Sequence, residues 1–317
     1  MSRMEDVLGP DYEAVEIPLG HDREGAVSAT LVSRRGPGPT GRAVLYVHGF
    51  VDYFFQTHLA DFYVAQGFDF YALDLRKYGR SLRPYQTPNM IDSLSDHFAE
   101  LDEAVRIIRE DHDVLLVNGH STGGLITALW ADRVKGRGLV QGLFLNSPFF
   151  DLNESAPNRI AGTGLARALR GIRPQAVLPA GLSPVYVTTI HRDHQGEWDF
   201  DLRLKPLEGF PVRAGWLAAV RRGQKRLHAG LAVDVPVLVM CSARTVPAEP
   251  AGDGITGSDI VLDVEHIARW SPKVGAHLTL VRIEGALHDV VLSARPARER
   301  AFAELSRWIG AHLPAKG

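Results

Sequence analysis

The chain has 317 residues, 45% of them hydrophobic and 23% charged, with a formal net charge of -2. That balance suits one large globular domain, or a core with a sizeable insertion, and argues against nucleic acid or an anionic membrane as the main partner. Cys241 is the only cysteine, so no internal disulfide framework is available.

The N-terminal text "MSRMEDVLGPDYEAVEIPL" holds no apolar core of signal-peptide length, and no run approaches the ~18 apolar residues of a membrane span. A cytoplasmic protein without an integral membrane segment is expected. Residues 12–18 and 26–34 read as strands around "GHDREG", a hairpin-like pair. After the turn "GPGPTGR", "AVLYVHGF" (43–50) is an almost continuous apolar run of the kind buried on both faces of a parallel sheet. A helix over 54–66 leads to a second buried strand, "FDFYALDL" (68–75). The acidic start at Asp92 and Asp96, with Leu101, Val105 and Ile108 beyond, predicts a helix across 92–111. Then come a strand at 114–120, a helix at 122–134 and a strand at 139–147.

After Phe150 this rhythm breaks. Residues 151–232 are Arg-, Gly- and Pro-rich, without strand alternation. It resumes with "VPVLVMCS" (235–242), a helix near 262–274, "LTLVRIEG" (278–285) and a closing helix over 296–312. The alternation predicts an α/β fold, a mostly parallel sheet with helices on both faces. The domain reading is a core over 1–150 and 233–317, with a cap inserted at 151–232.

Between the strand "VLLVN" and the helix "LITALW" stands Gly119-His120-Ser121-Thr122-Gly123. Gly-x-Ser-x-Gly between a buried strand and a helix is a nucleophile-elbow pattern, because the sharp turn tolerates only small neighbours. It would set Ser121 at a helix N-terminus, where free N–H groups favour developing negative charge. The bare alternative is a tight turn with an exposed serine.

A serine nucleophile needs a base, and the base needs an orienting acid; in this strand–turn–helix context they follow in the order Ser, acid, His. Of the histidines beyond the insertion, His288 follows the last predicted strand through a short loop. His277 precedes that strand, His312 lies on the final helix, and His266 decorates a helix. For the acid, Asp259 in "SDIVLD" is favoured, with Asp263 as the alternative and Asp253 and Glu249 behind; Asp259 and Asp263 would also serve as helix-cap or first-turn acids. Oxyanion donors are expected at the backbone N–H of Thr122 and of Phe50, with Val51 behind it and His48 bracing the loop. For Tyr53, Phe54 and Phe55 two readings stay open: lining of a substrate pocket, or packing on the helix that starts there.

Together "YVHGF", "ALDLRKYGRS", "GHSTGG", "LNSPFFD", "SDIVLD" and "EGALHDVVLS" resemble the α/β-hydrolase superfamily, in particular its lysophospholipase and monoacylglycerol-lipase-like serine hydrolases. The resemblance covers about 40–150 and 233–312. It implies an eight-stranded sheet, a helical cap, a Ser121–Asp259–His288 triad and oxyanion donors at Phe50 and Thr122. It also implies an ester hydrolase working through an acyl-enzyme without cofactor or metal, on a small-molecule ester. The chain departs from the family at Lys77, where "DLRKYGRS" would carry a glycine, and in the long Gly/Pro loop before the acid. Asp74, Arg76 and Ser81 are expected to be structural. An amidase or peptidase of the proline-iminopeptidase kind, a thioesterase, and a non-catalytic binding protein on a hydrolase scaffold are the rival readings. The cluster "HRDHQGEWDFD" (191–201) matches no metal-ligand spacing and reads as a polar surface, and "RRGQKR" (221–226) as a solvated helix face.

Overall fold

A computed structural model describes residues 3–179, 181, 183–249 and 252–313. In chain order the elements are β1 (Arg3–Asp6), β2 (Gly9–Asp22), β3 (Gly25–Arg34), β4 (Arg42–Val47), α1 (Thr57–Ala65) and β5 (Asp69–Asp74). There follow α2 (Phe98–Ile108), β6 (Val114–His120), α3 (Thr122–Val134) and β7 (Gly142–Asn146). Residues 151–232 contribute α4 (Ala156–Ile172), α5 (Pro184–Ile190) and α6 (Ala214–His228). The chain closes with β8 (Val237–Ser242), α7 (Val264–Trp270), β9 (Leu278–Ile283) and α8 (Arg295–His312).

The described strands form one sheet in the order β1-β2-β3-β5-β4-β6-β7-β8-β9. From β5 to β9 all neighbours are parallel, while β1, β2 and β3 join antiparallel. The sheet thus has nine strands, one more than the expected eight. The addition is β1, a four-residue edge strand on the outer side of the long β2.

Both faces of the parallel part are covered, which is why its strands read as unbroken apolar runs. Ala43, Leu45, Val47, Leu115, Val117, Leu143 and Leu145 pack on one side with Leu101 of α2 and Leu125 of α3. Val44, Tyr46, Leu116, Phe144 and Leu238 pack on the other with Leu59 of α1 and Leu305 of α8. The helix expected at 92–111 begins only at Phe98, because Ser93 caps a short 3-10 turn over Leu94–His97.

Parallel strands deliver their carboxyl ends to one edge of the sheet. There the loop after β4, the turn after β6, the segment beyond β8 and the loop after β9 meet, and the chain that leads into α4 leaves from the end of β7 beside them.

Candidate active site

Ser121 has φ 53° and ψ −117°, a left-handed backbone that a β-carbon opposes. The surrounding glycines make this turn possible. A Cβ on Gly119 would strike Thr127 and the backbone of Gly123 and Gly124; one on Gly123 would overlap the carbonyl oxygens of Val47 and His48; one on Gly124 would come 2.9 Å from the Cβ of Pro148. The turn is therefore clamped between the end of β4 and the segment after β7. Ser121 N–H donates to Asn146 O (3.0 Å), and Phe149 N–H donates back to Ser121 O (3.0 Å).

His288 and Asp259 complete a linear array. His288 Nε2 lies 3.0 Å from Ser121 Oγ, and its Nδ1 lies 2.9 Å from Asp259 Oδ2. A carboxylate can only accept, so Nδ1 carries the proton and Nε2 is left to accept from the serine hydroxyl. Asp259 is fully buried, and its Oδ1 accepts from the N–H groups of Val261 and Leu262 (2.8 Å each). The long Gly/Pro loop explains how a distant residue reaches this point. It is an excursion that returns: Asp259 N–H donates to Arg244 O (3.0 Å) and Val246 N–H to Asp259 O (3.1 Å), so Asp259 pairs with the extension of β8. The alternative acid, Asp263, instead caps α7, accepting from Glu265 N–H (2.9 Å).

Facing the serine is the loop after β4. A Cβ on Gly49 would stand 2.9 Å from Ser121 Cβ, so the backbone at 49–50 lies directly against the nucleophile candidate. His48 braces this loop as expected: Nδ1–H donates to its neighbour Gly49 O (2.8 Å) and Nε2 accepts from Leu75 N–H (3.0 Å). Burial lowers its pKa and keeps it neutral. Thr122 opens α3, where the first N–H groups have no intrahelical acceptor.

A cavity of about 510 Å³ opens onto Ser121 and His288. Its apolar wall comes from Phe50, Leu178, Trp216, Leu217, Val261 and Leu262, and the Phe50 and Trp216 rings lie 3.9 Å apart. Tyr53 and Phe54 lie elsewhere. Phe54 is sealed against Tyr12, Tyr46 and Phe70, and the Tyr53 hydroxyl accepts from Asp201 N–H (2.8 Å), its own pKa pushed up to about 12 by burial. Of their two readings the structure realises packing, because the chain turns inward after Asp52 to start α1.

Two features escape sequence reasoning. Lys205, between α5 and α6, is buried and reaches Asp52 Oδ1 (2.6 Å), while Asp52 Oδ2 lies 3.4 Å from His120 Nδ1; all three side chains line the cavity. Burial pushes the Asp52 carboxyl upward, but the Lys205 ammonium and His120 hold it well below the usual range. In the second, Asp289 anchors the His288 loop. Its Oδ1 accepts from Asn146 Nδ2 (2.6 Å) and its Oδ2 from Gln56 Nε2 (3.3 Å), while Val290 N–H donates to Asn146 Oδ1 (3.2 Å).

The remaining motifs are structural. Asp74 accepts from Phe54 N–H and from Arg80, Arg76 pairs with Glu100, and Ser81 donates to Asp74 O. Lys77 takes the left-handed φ of 63° expected of the replaced glycine, and its ammonium pairs with Asp22 (2.5 Å) and Glu24 (2.6 Å) of the β2–β3 turn. In 191–201, Arg192 pairs with Asp199 and Glu197 with Arg298. The segment 221–226 is not a solvated face throughout: Gln224 is buried and Arg221 pairs with Asp151 (2.7 Å), since α6 wedges between α3 and α4.

Residues 38–292 match the family model described as serine aminopeptidase, S33. The chain belongs to that family. Within it the fold is that of the α/β-hydrolases, as solved structures also show. A soluble variant of monoglyceride lipase from Saccharomyces cerevisiae, in complex with a substrate analogue, superposes with a TM-score of 0.69 at 18% identity, over 94% of this chain and 97% of that one. Paleococcus ferrophilus monoacylglycerol lipase gives 0.66 at 19%, over 89% and 99%. A thermostable carboxyl esterase from Bacillus coagulans in complex with glycerol gives 0.65 at 15%, over 94% and 98%. No curated protein matches the chain.

Proposed function

We propose that this S33-family member is a serine hydrolase that cleaves carboxylic esters through an acyl-enzyme, with residues 151–232 as its cap. The observation that carries the reading is the buried array Ser121 Oγ–His288 Nε2–Asp259 at the mouth of a largely apolar cavity. His288 takes the hydroxyl proton as Ser121 attacks the ester carbonyl, and the N–H groups of Phe50 and Thr122 receive the oxyanion. The protonated imidazole, held by Asp259, then gives its proton to the departing alkoxide, leaving the acyl group on Ser121 and releasing the alcohol. Water, deprotonated by His288, attacks the acyl-enzyme; collapse returns the proton to Ser121 and releases the acid.

The acyl chain runs along Phe50, Trp216, Leu217 and Val261, and the alcohol faces Lys205, Asp52 and His120. The family's name favours a second reading, an aminopeptidase. Such an enzyme needs a carboxylate free to take the substrate ammonium; of the acids lining the cavity, Asp52 is already neutralised by Lys205, and the exposed Glu154 is the one an aminopeptidase would have to use. A fluorogenic panel tests the choice. Acyl esters of increasing chain length should be hydrolysed with kcat/KM rising with chain length, and amino-acid amides should not; cleavage of the amides alone would overturn the ester reading.

A further inference from the structure

His288 sits on a loop whose only regular piece is the 3-10 turn Val290–Leu292. So short a turn cannot satisfy the carbonyls at its own end. Here three successive carbonyls are taken by side chains from three separate parts of the chain. His58 of α1 donates through Nε2 to Val291 O (2.8 Å), Trp198 donates through Nε1 to Leu292 O (2.7 Å), and Arg298 of α8 donates to Ser293 O (3.0 Å). A carbonyl only accepts, so the His58 proton is on Nε2. Ser293 Oγ in turn accepts from Leu287 N–H (2.9 Å), which closes the loop around His288.

The donors also hold one another. The His58 and Trp198 rings stack with centroids 4.0 Å apart at 23°. The Arg298 guanidinium lies 4.7 Å from the centroid of the Trp198 ring and pairs with Glu197 (3.3 Å). Trp198 itself is fixed at the backbone: its N–H donates to Ile190 O (3.0 Å) at the end of α5, and its carbonyl accepts from Arg192 N–H (2.8 Å). Helix α5 also carries Tyr186, whose ring stands edge-on to the His288 imidazole with centroids 5.6 Å apart. The stretch from Tyr186 to Trp198 therefore touches both the imidazole and the loop that carries it.

We propose that Trp198 and His58 are positioning residues for His288. Asp289 anchors the near end of the loop, and the stacked pair fixes the far end, so that Nε2 stays in reach of Ser121 and Nδ1 in reach of Asp259. Packing alone would need only the stacked rings. Instead each ring directs its one N–H at a carbonyl of the same short turn, three and four residues past His288. The polar text of 191–201, which matches no metal-ligand spacing, thus serves to hold Trp198 against this turn. The effect on turnover rests on the ester-hydrolase reading; the placing of the imidazole does not.

The test uses Trp198→Phe and His58→Phe, which keep a ring in the stack and remove one donor each. On an ester substrate each should lower kcat about tenfold with KM within about twofold, because a displaced base affects the chemical step more than binding. His58→Gln, which restores an amide N–H donor, should recover most of that loss. Circular dichroism checks that the variants are folded. Proton NMR of the full chain needs no substrate. The Nδ1–H of His288, buried against Asp259, should give a far-downfield signal in the parent, identified by its loss in His288→Ala. That signal should broaden or move in both Phe variants and return in His58→Gln. A parent that turns over no ester would sink the hydrolase reading, and the NMR signal would then judge the positioning by itself. A signal unchanged in both Phe variants would overturn the proposal. So would an unchanged kcat in those variants of an active parent, or a loss that His58→Gln does not reverse.

Discussion

Ser121 and His288 lie 167 residues apart along the chain and His288 and Asp259 29 apart, yet the imidazole stands 3.0 Å from the serine oxygen and 2.9 Å from the carboxylate. What separates Asp259 from Asp263 is local hydrogen bonding: Asp259 offers one oxygen to two backbone amides and the other to the imidazole, while Asp263 spends its oxygen on the start of α7. Asp259→Asn should therefore lower kcat by about 10⁴ on an ester substrate, by favouring the wrong imidazole tautomer. Asp263→Asn should leave kcat within about threefold, since asparagine also caps helices. A kinetic comparison of the two variants decides, and equal losses would refute the assignment. The serine turn and His288 were legible in the sequence because a strand end and a short loop fix where they emerge. The carboxylate that reaches His288 was legible only as a short list, because Asp259 returns to the end of β8 through backbone pairing that no side-chain pattern announces.

At the scale of elements, the segment between α5 and α6 is tied to the loop after β4 by charge as well as by packing. Lys205 and Asp52, 153 residues apart, are both buried, and Asp52 stands two residues after Phe50. Lys205→Met would strand the Asp52 carboxylate in an apolar wall, a loss of about 3–5 kcal/mol for a broken buried pair. Urea titration should show that loss for the single variant, and Lys205→Met combined with Asp52→Asn should recover part of it. Full additivity of the two single effects would contradict a direct coupling. None of this could be read in advance, because the pair joins text with rhythm to text without it. The parallel strands were legible for the opposite reason: burial on both faces writes itself as apolar runs, so β4 to β9 fall within a few residues of their expected limits. The edge strand β1, paired on one side only, leaves no such signature.

For the whole molecule, four buried or half-buried histidines bear on the response to pH. Burial lowers the pKa of His48 and His228, and that of His58 to about 4, so each is neutral when folded and gains a proton on unfolding once pH falls below 6.5. Their contributions are complete above pH 6.5 and decline below it, by up to about 1.4 kcal/mol per pH unit for each group. His112 acts in the other direction: burial pushes it down, but its bond to Asp69 outweighs that and raises it, so its contribution is present below pH 6.5 and lost above. Three groups oppose one, and the melting temperature should be lower at pH 5 than at pH 7.5; an equal or higher value at pH 5 would contradict the account. The proposed function requires that Ser121 be an activated nucleophile. Incubation of the folded chain with a fluorophosphonate, followed by peptide mass spectrometry, tests it most directly. A single adduct on Ser121, formed quickly in the parent and suppressed at least about 10³-fold by His288→Ala, is the predicted result. A folded chain left unlabelled at Ser121, or labelled there equally fast without His288, would contradict it.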